Sequence, residues 1–336
     1  MKSAAKLSIL GALSTAVILS ACGNENTDDA NAGEAEASNF PEEDISFIVH
    51  TSAGGPADLM TRELAGAIEE VIDYNVVVEN QPGGSGATQM NALTSADPDG
   101  YTLGTMTPSQ IGLINGTLDD QFDIDDFTWM TRSQIDPYVL VVHDDSPYET
   151  LEDFVSDAQD NPGQITVGGY GAQGSGHNIA FNIFSESADI DGNWTPFEST
   201  GDAVTAVLGQ HIDVANSNPG AVGEYVESGD LRILGVMSDE RLEAFPDIPT
   251  YEEEGYEVDT DWQQFRGIYG PPGMPDDVKE AWSDIFLEAM ETDRYQEYME
   301  NAFMVEGALS QSDTEDYIMS VHELTQHWYN EIGFED

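Results

Sequence analysis

The chain has 336 residues, with 65 Asp and Glu against nine Lys and Arg, giving a net charge of −56 at neutral pH. A charge of this sign and size excludes nucleic-acid binding through a basic face. Its single cysteine excludes a disulfide within one molecule.

The first residues read as a leader. Lys2 and Lys6 precede an uncharged apolar run, Leu7 to Leu19, which is too short to span a membrane. The run ends in Leu19-Ser20-Ala21-Cys22, which resembles a bacterial lipobox. Residues 1–21 are therefore expected to be a lipoprotein signal peptide. Cys22 is the expected lipidation site, holding the protein to the membrane on its extracytoplasmic side. Residues 22–40 are acidic and without apolar periodicity, as in a flexible tether. Both early lysines lie in the leader, so the mature chain would be more negative still. Such a surface repels itself at low salt, and a saline habitat is inferred.

From Phe40 on, strand and helix patterns alternate. Ile45–Val49 reads as a strand, Pro56–Ile72 as a helix, Val76–Val78 as a strand, Gly86–Leu93 as a helix and Tyr101–Met106 as a strand. The pattern recurs with Ile165–Val167, His177–Ser185, Ala203–Leu208, Ile212–Val214, Gly220–Glu227 and Leu231–Met237. Tyr138–Val142 and the segment Trp262–Tyr269 read as crossings between lobes. Asp276–Asn301 and Asp313–Tyr329 read as amphipathic helices. The expected fold is α/β, with two lobes, each a mainly parallel sheet flanked by helices, joined by two crossover strands. Lobe I would hold 41–137 and 262–336, and lobe II 138–261.

Several expected strand-to-helix turns combine Gly with small hydroxyl residues: Thr51–Gly55, Thr105–Ser109, Gly168–Ser175 and Ser199–Gly201. Asn216–Pro219 is a similar polar turn. Turns at the carboxyl ends of strands are where open α/β sheets bind ligands. Each opens a helix whose first amides lack intrahelical partners and attract an anion. Candidate ligand residues are Ser52, Gly54, Gly55, Thr107, Ser109, Ser175, His177, Ser199, Thr200, Asn216 and Arg266. Asp58 is expected to brace its own turn. Arg266 is one of few cations and could grip a carboxylate with two parallel bonds, or pair with an acidic residue. Gly169-Tyr170-Gly171-Ala172-Gln173-Gly174 matches G-x-G-x-x-G, which would suggest a nucleotide-dependent oxidoreductase. The histidines lack metal spacing, and no cofactor or metal is expected.

Phe47–Asp58 (FIVHTSAGGPAD), Val76–Gly86 (VVVENQPGGSG), Ala96–Leu103 (ADPDGYTL), Gly201–Asp213 (GDAVTAVLGQHID), Phe245–Thr250 (FPDIPT) and Gly267–Gly273 (GIYGPPG) occur in this order. Together they resemble the substrate-binding proteins of tripartite tricarboxylate transporters. The resemblance implies a type II periplasmic-binding-protein fold that closes on a small organic carboxylate, such as citrate or a dicarboxylate. It also implies a large and a small membrane subunit as partners, a monomeric receptor and no enzymatic activity. Carboxylate binding would fall to Ser52, Gly54, Gly55, Ser175, His177, Ser199 and Thr200. Pro56 and Gly174 depart from the family pattern. A sensor-coupled binding module is the other non-enzymatic expectation.

Overall fold

The structure is a computed structural model. It describes residues 40–171, 173–197, 199–331 and 333; the leader, Cys22 and the tether through Asn39 lie outside the described residues. The chain runs through β1 (Ile45–Val49), α1 (Pro56–Val71), β2 (Val76–Asn80), α2 (Ala87–Leu93), β3 (Thr102–Met106), α3 (Pro108–Ile114) and β4 (Thr128–Asp136). It continues with β5 (Tyr138–His143), α4 (Leu151–Asp160), β6 (Thr166–Tyr170), α5 (Gly176–Ala188), β7 (Asn193–Phe197), α6 (Thr200–Leu208), β8 (Val214–Ser217), α7 (Pro219–Ser228) and β9 (Leu231–Met237). The last elements are β10 (Gln264–Gly270), α8 (Asp276–Met290), α9 (Asp293–Asn301), β11 (Val305–Glu306) and α10 (Gln311–Glu331).

Two sheets result, in the orders β11-β4-β10-β3-β1-β2 and β7-β6-β8-β5-β9. β1 lies inside the first sheet, parallel to β2 and β3, with Phe47 opposite Val78 and Leu103. A strand covered on both faces needs apolar side chains on both, and Ile45, Phe47, Ile48 and Val49 are all buried. Phe47 packs towards Trp282 and Phe286 of α8, while Ile48 joins Met90, Ile111 and Phe265 on the other face. In the second sheet, Val139 and Val141 face one cluster, and Leu140 and Val142 the other.

Both sheets are mixed rather than mainly parallel. β10 runs antiparallel to β3 and β4, and β5 antiparallel to β8 and β9. The reason is connectivity. β4 leaves the first sheet and becomes β5 of the second through Pro137 alone, and β10 brings the chain back after β9. The strand that enters each sheet from the other lobe, β10 in the first and β5 in the second, therefore runs against the strands set by βαβ crossovers, whereas the leaving strand β4 keeps their direction.

α10 packs against both sheets. Tyr317, Ile318 and Val321 pack with Phe265 on the first sheet, while Leu324 and Trp328 pack with the Tyr138 and Trp262 cluster of the second. Tyr317 and Ser320 also reach Asp261, on the connection between β9 and β10. No helix among the described residues is long and apolar enough to cross a membrane.

Candidate functional site

The β1–α1 turn is braced from below. Buried Asp58 accepts hydrogen bonds from the Gly54 N–H (2.8 Å), Arg62 Nε (3.0 Å) and Asn80 Nδ2 (2.8 Å). Burial pushes its carboxyl up, but these three bonds outweigh it and hold Asp58 below the usual carboxylate range. Gly54 has φ 85°, a left-handed conformation that a side chain would strain. Its N–H is spent on Asp58, so Gly54 shapes the turn. Gly55 is the N-cap of α1 and supplies no side-chain cap, and Pro56 follows in the first turn. The leading amides of this 16-residue helix are thus left without a capping side chain, while Ser52 and Gly54 stand exposed beside them.

The β3–α3 turn is different. Thr107 is buried and caps α3 through its hydroxyl, which accepts from the Ser109 N–H, while the Gln110 side chain accepts from the Thr107 N–H. Gln110 donates to Gln89, which also receives the Tyr269 hydroxyl and donates to the Ile48 and Thr105 carbonyls. This buried network fixes the ends of β1 and β3 relative to α2 and α3. Ser109 is exposed at the tip.

In lobe II, Ser175 caps α5 by accepting from the Asn178 N–H, and its hydroxyl donates to the Tyr170 carbonyl at 2.9 Å. Ser199 caps α6, accepting from the Asp202 N–H, and is exposed; Thr200 opens the helix. His177 and Asn216 are buried, and Asn216 Nδ2 donates to the His177 carbonyl. Burial lowers His177 to a pKa of about 4, against a hydrogen bond to Asn218, so its imidazole is neutral at pH 7. His177 and Asn216 therefore lie behind the turns and hold them together. The G-x-G-x-x-G match dissolves here, because Gly169 lies within β6 and not in the turn.

Between the two sets of turns lies a polar floor at the crossover strands. Arg266 on β10 and Asp136 at the end of β4 are both buried and meet at 3.5 Å. Burial raises the Asp136 carboxyl, opposed by the Arg266 charge. Arg266 Nε, Asp136 Oδ1 and the Tyr138 hydroxyl have no protein partner although all are buried. His50, at the end of β1, is also buried; its Nδ1 lies 3.2 Å from the Thr105 carbonyl oxygen. Burial lowers its pKa to about 4, and nearby Arg266 adds to the effect. The Tyr138 ring lies edge-on to His177 at 5.0 Å, and Tyr170 meets the same imidazole at 5.9 Å.

A continuous line of contacts thus runs from Arg266 through Asp136 and Asn218 to the first turn of α5. The α1 turn follows β1 of the first sheet, and the α5 turn follows β6 of the second. Tyr170 is half-exposed beside His177. Tyr170, His50 and Asp136 are not among the site residues expected from the sequence, although Tyr170 lies in the Gly168–Ser175 turn. Arg266 takes the acid-pairing geometry that the sequence left open. The remaining cations among the described residues are engaged too: Arg62, Arg232, Arg241, Lys279 and Arg294 have acidic partners, and Arg132 lies over the Tyr317 ring.

Two surface depressions of about 250 and 270 Å³ lie elsewhere, one by Asp276 and Lys279, the other by Asn115 and His322. Among the described residues no group of three or more His, Cys, Asp or Glu could hold a metal ion.

Residues 60–332 match the family described as "Tripartite tricarboxylate transporter family receptor". A curated relative, the UPF0065 protein in the gbd 5′ region of Cupriavidus necator, is 28% identical over 297 residues, covering 88% of this chain and 86% of the relative. The crystal structure of a TctC solute-binding protein from Polaromonas superposes with a TM-score of 0.78 at 23% identity, covering 87% of this chain and 99% of that one. MatC from Rhodopseudomonas palustris, solved with bound malate, gives a TM-score of 0.67 at 19% identity, with 86% and 99% coverage. With its two lobes and a family match over residues 60–332, the chain belongs to the tripartite tricarboxylate transporter receptor family, whose members are solute-binding proteins and not enzymes.

Proposed function

We propose that the protein captures a small organic carboxylate in the cleft between its lobes and delivers it to the membrane subunits of a tripartite transporter. The lobes would be 41–137 with 262–336, and 138–261. The observation that carries this reading is the uncapped N-terminus of α1, with Ser52 exposed beside it and a turn braced by Asp58. Unpaired helix amides stabilise a carboxylate through their dipoles, which suits a protein that is strongly negative elsewhere. Ser175, Ser199 and Thr200 would meet the ligand from lobe II, with Ser109 at the rim. His177 and Asn216 would act from behind.

The malate in MatC supports a carboxylate ligand. Citrate is the other ligand type the family resemblance suggests, and the Tyr170 ring would offer a flat apolar surface to the ligand's carbon skeleton. Charge-assisted hydrogen bonds contribute about 1.5–3 kcal/mol each. Four or so would reach the roughly 8 kcal/mol of a micromolar complex, before the cost of ordering is subtracted. Cys22 would anchor the receptor outside the membrane, with residues 22–40 as tether, and the receptor would act as a monomer.

Calorimetry against malate, citrate, adipate and a neutral sugar tests the reading. At least one carboxylate should bind with micromolar affinity while the sugar does not. Binding of the sugar alone, or of a cationic solute, would overturn it.

A further inference from the structure

We propose that the corner between α9 and β11 is a counterweight that holds the cleft open and thereby sets ligand affinity; the inference rests on the carboxylate-binding reading above. α9 ends in a Schellman-type turn: the Phe303 N–H bonds to the Glu300 carbonyl and the Met304 N–H to the Met299 carbonyl. The residue after the C-cap of such a turn is left-handed, and glycine is the usual occupant. Here it is Phe303, with φ 53°. A bulky residue in that conformation is strained, so its surroundings must compensate.

The surroundings belong to the other lobe. The Phe303 ring stacks on Phe245, which follows β9, with centroids 5.7 Å apart and planes inclined by 11°. It also fills the space over Gly223 of α7, where an added Cβ would lie 2.7 Å from the ring. At Gly220, one turn earlier, an added Cβ would lie 2.9 Å from both the Ala302 carbonyl oxygen and the Met304 side chain. Two glycines on one helix face thus form a seat for a segment of the first sheet.

Strand order says where this seat lies. β11 is separated from β1 by the crossover strand β4 together with β10 and β3, and β9 is separated from β6 by β5 and β8. The ligand turns follow β1 and β6. The Phe303 contact therefore lies across the crossover strands from the ligand. Rotation about those strands that brings the turns together must draw Phe303 off Phe245 and α7. Closure exposes apolar surface there, so the contact stabilises the open form, and part of the ligand's binding energy is spent on breaking it. Met304 also touches Arg266 at 4.0 Å, so the corner adjoins the cleft floor.

The test uses Phe245→Ala and Phe303→Ala, the first of which leaves the α9 turn intact, with the carboxylate that binds wild type in the panel above as probe. Loss of one aromatic pair should tighten binding about three- to ten-fold. Small-angle scattering without ligand should show both variants more compact than wild type. Unchanged or weaker binding by a folded Phe245→Ala protein, with unchanged scattering, would overturn the proposal. If wild type binds no carboxylate, the functional reading fails, and scattering alone decides this one. A more compact Phe245→Ala protein supports the counterweight, and an unchanged one removes it.

Discussion

His177 Nε2 and Asn218 Oδ1 lie 2.9 Å apart, and this contact ties the start of α5 to the crossover between lobes. Asn218 donates its two amide hydrogens to the carbonyls of Asp136 and Pro137 at 2.8 and 3.1 Å. Its oxygen is therefore an acceptor, and neutral His177 must carry its proton on Nε2. α5, the β8–α7 turn and the β4–β5 crossover are joined by three hydrogen bonds from one buried side chain.

Asn218→Ala should destabilise the protein by about 2–3 kcal/mol, because it strands the His177 donor and two carbonyls. Urea unfolding followed by circular dichroism measures the loss. A change under 0.5 kcal/mol would mean that water replaces the side chain at no cost.

Stability should fall as pH drops from 6.5 towards 4. His177 and His50 are depressed to about 4, so the unfolded chain binds more protons than the folded one across that window. Raised Asp136 acts in the opposite sense above its ordinary range, as does relief of the negative charge. The His177 share is isolated by comparing wild type with His177→Gln. The variant should lose less stability on acidification, by up to about 1.4 kcal/mol per pH unit. Parallel pH profiles would count against a neutral buried imidazole.

Asp58→Ala should weaken carboxylate binding about ten-fold or more and cost about 1–3 kcal/mol of stability, since the Gly54 N–H, Arg62 and Asn80 all lose their acceptor. Calorimetry and thermal melts separate the two effects. Wild-type affinity in a destabilised variant would show that the turn keeps its shape without this brace.

Removing Arg266 alone leaves Asp136 buried and unpaired, a change that costs about 3–5 kcal/mol in comparable pairs. The informative variant is Arg266→Met with Asp136→Leu, which keeps the floor filled without isolating a charge. A ten-fold or greater loss of affinity for a multi-carboxylate ligand, with little loss of stability, is expected if the guanidinium also serves the ligand. Equal affinity confines Arg266 to its pair with Asp136.

Added salt should raise both melting temperature and carboxylate affinity, because screening weakens repulsion within the chain and between chain and anion. Titration between about 0.05 and 2 M KCl tests this; affinity that falls with salt would place an uncompensated cation at the site.

Much of the architecture was legible because it is written in local patterns. Ile45–Val49 is apolar at every position but Ser46 and became β1, and Pro56 opened α1 as its missing N–H allows. β4 escaped notice: Thr128–Asp136 mixes Arg132, Ser133 and Gln134 with apolar residues, and only pairing with β10 makes it a strand. β7, with Pro196 inside, was hidden for the same reason and is a sheet edge.

The sequence alone determined where Gly and hydroxyl residues would terminate strands and cap helices, since capping depends on neighbours a few positions away. It could not decide which of those groups face a ligand. That depended on partners distant in the chain: Thr107 is consumed by its own helix cap above a Gln89 network, His177 by Asn218 some forty residues on, and Arg266 by Asp136 across two strands. Whether a polar atom is available is a property of what packs around it, and for these residues only the tertiary structure supplies that.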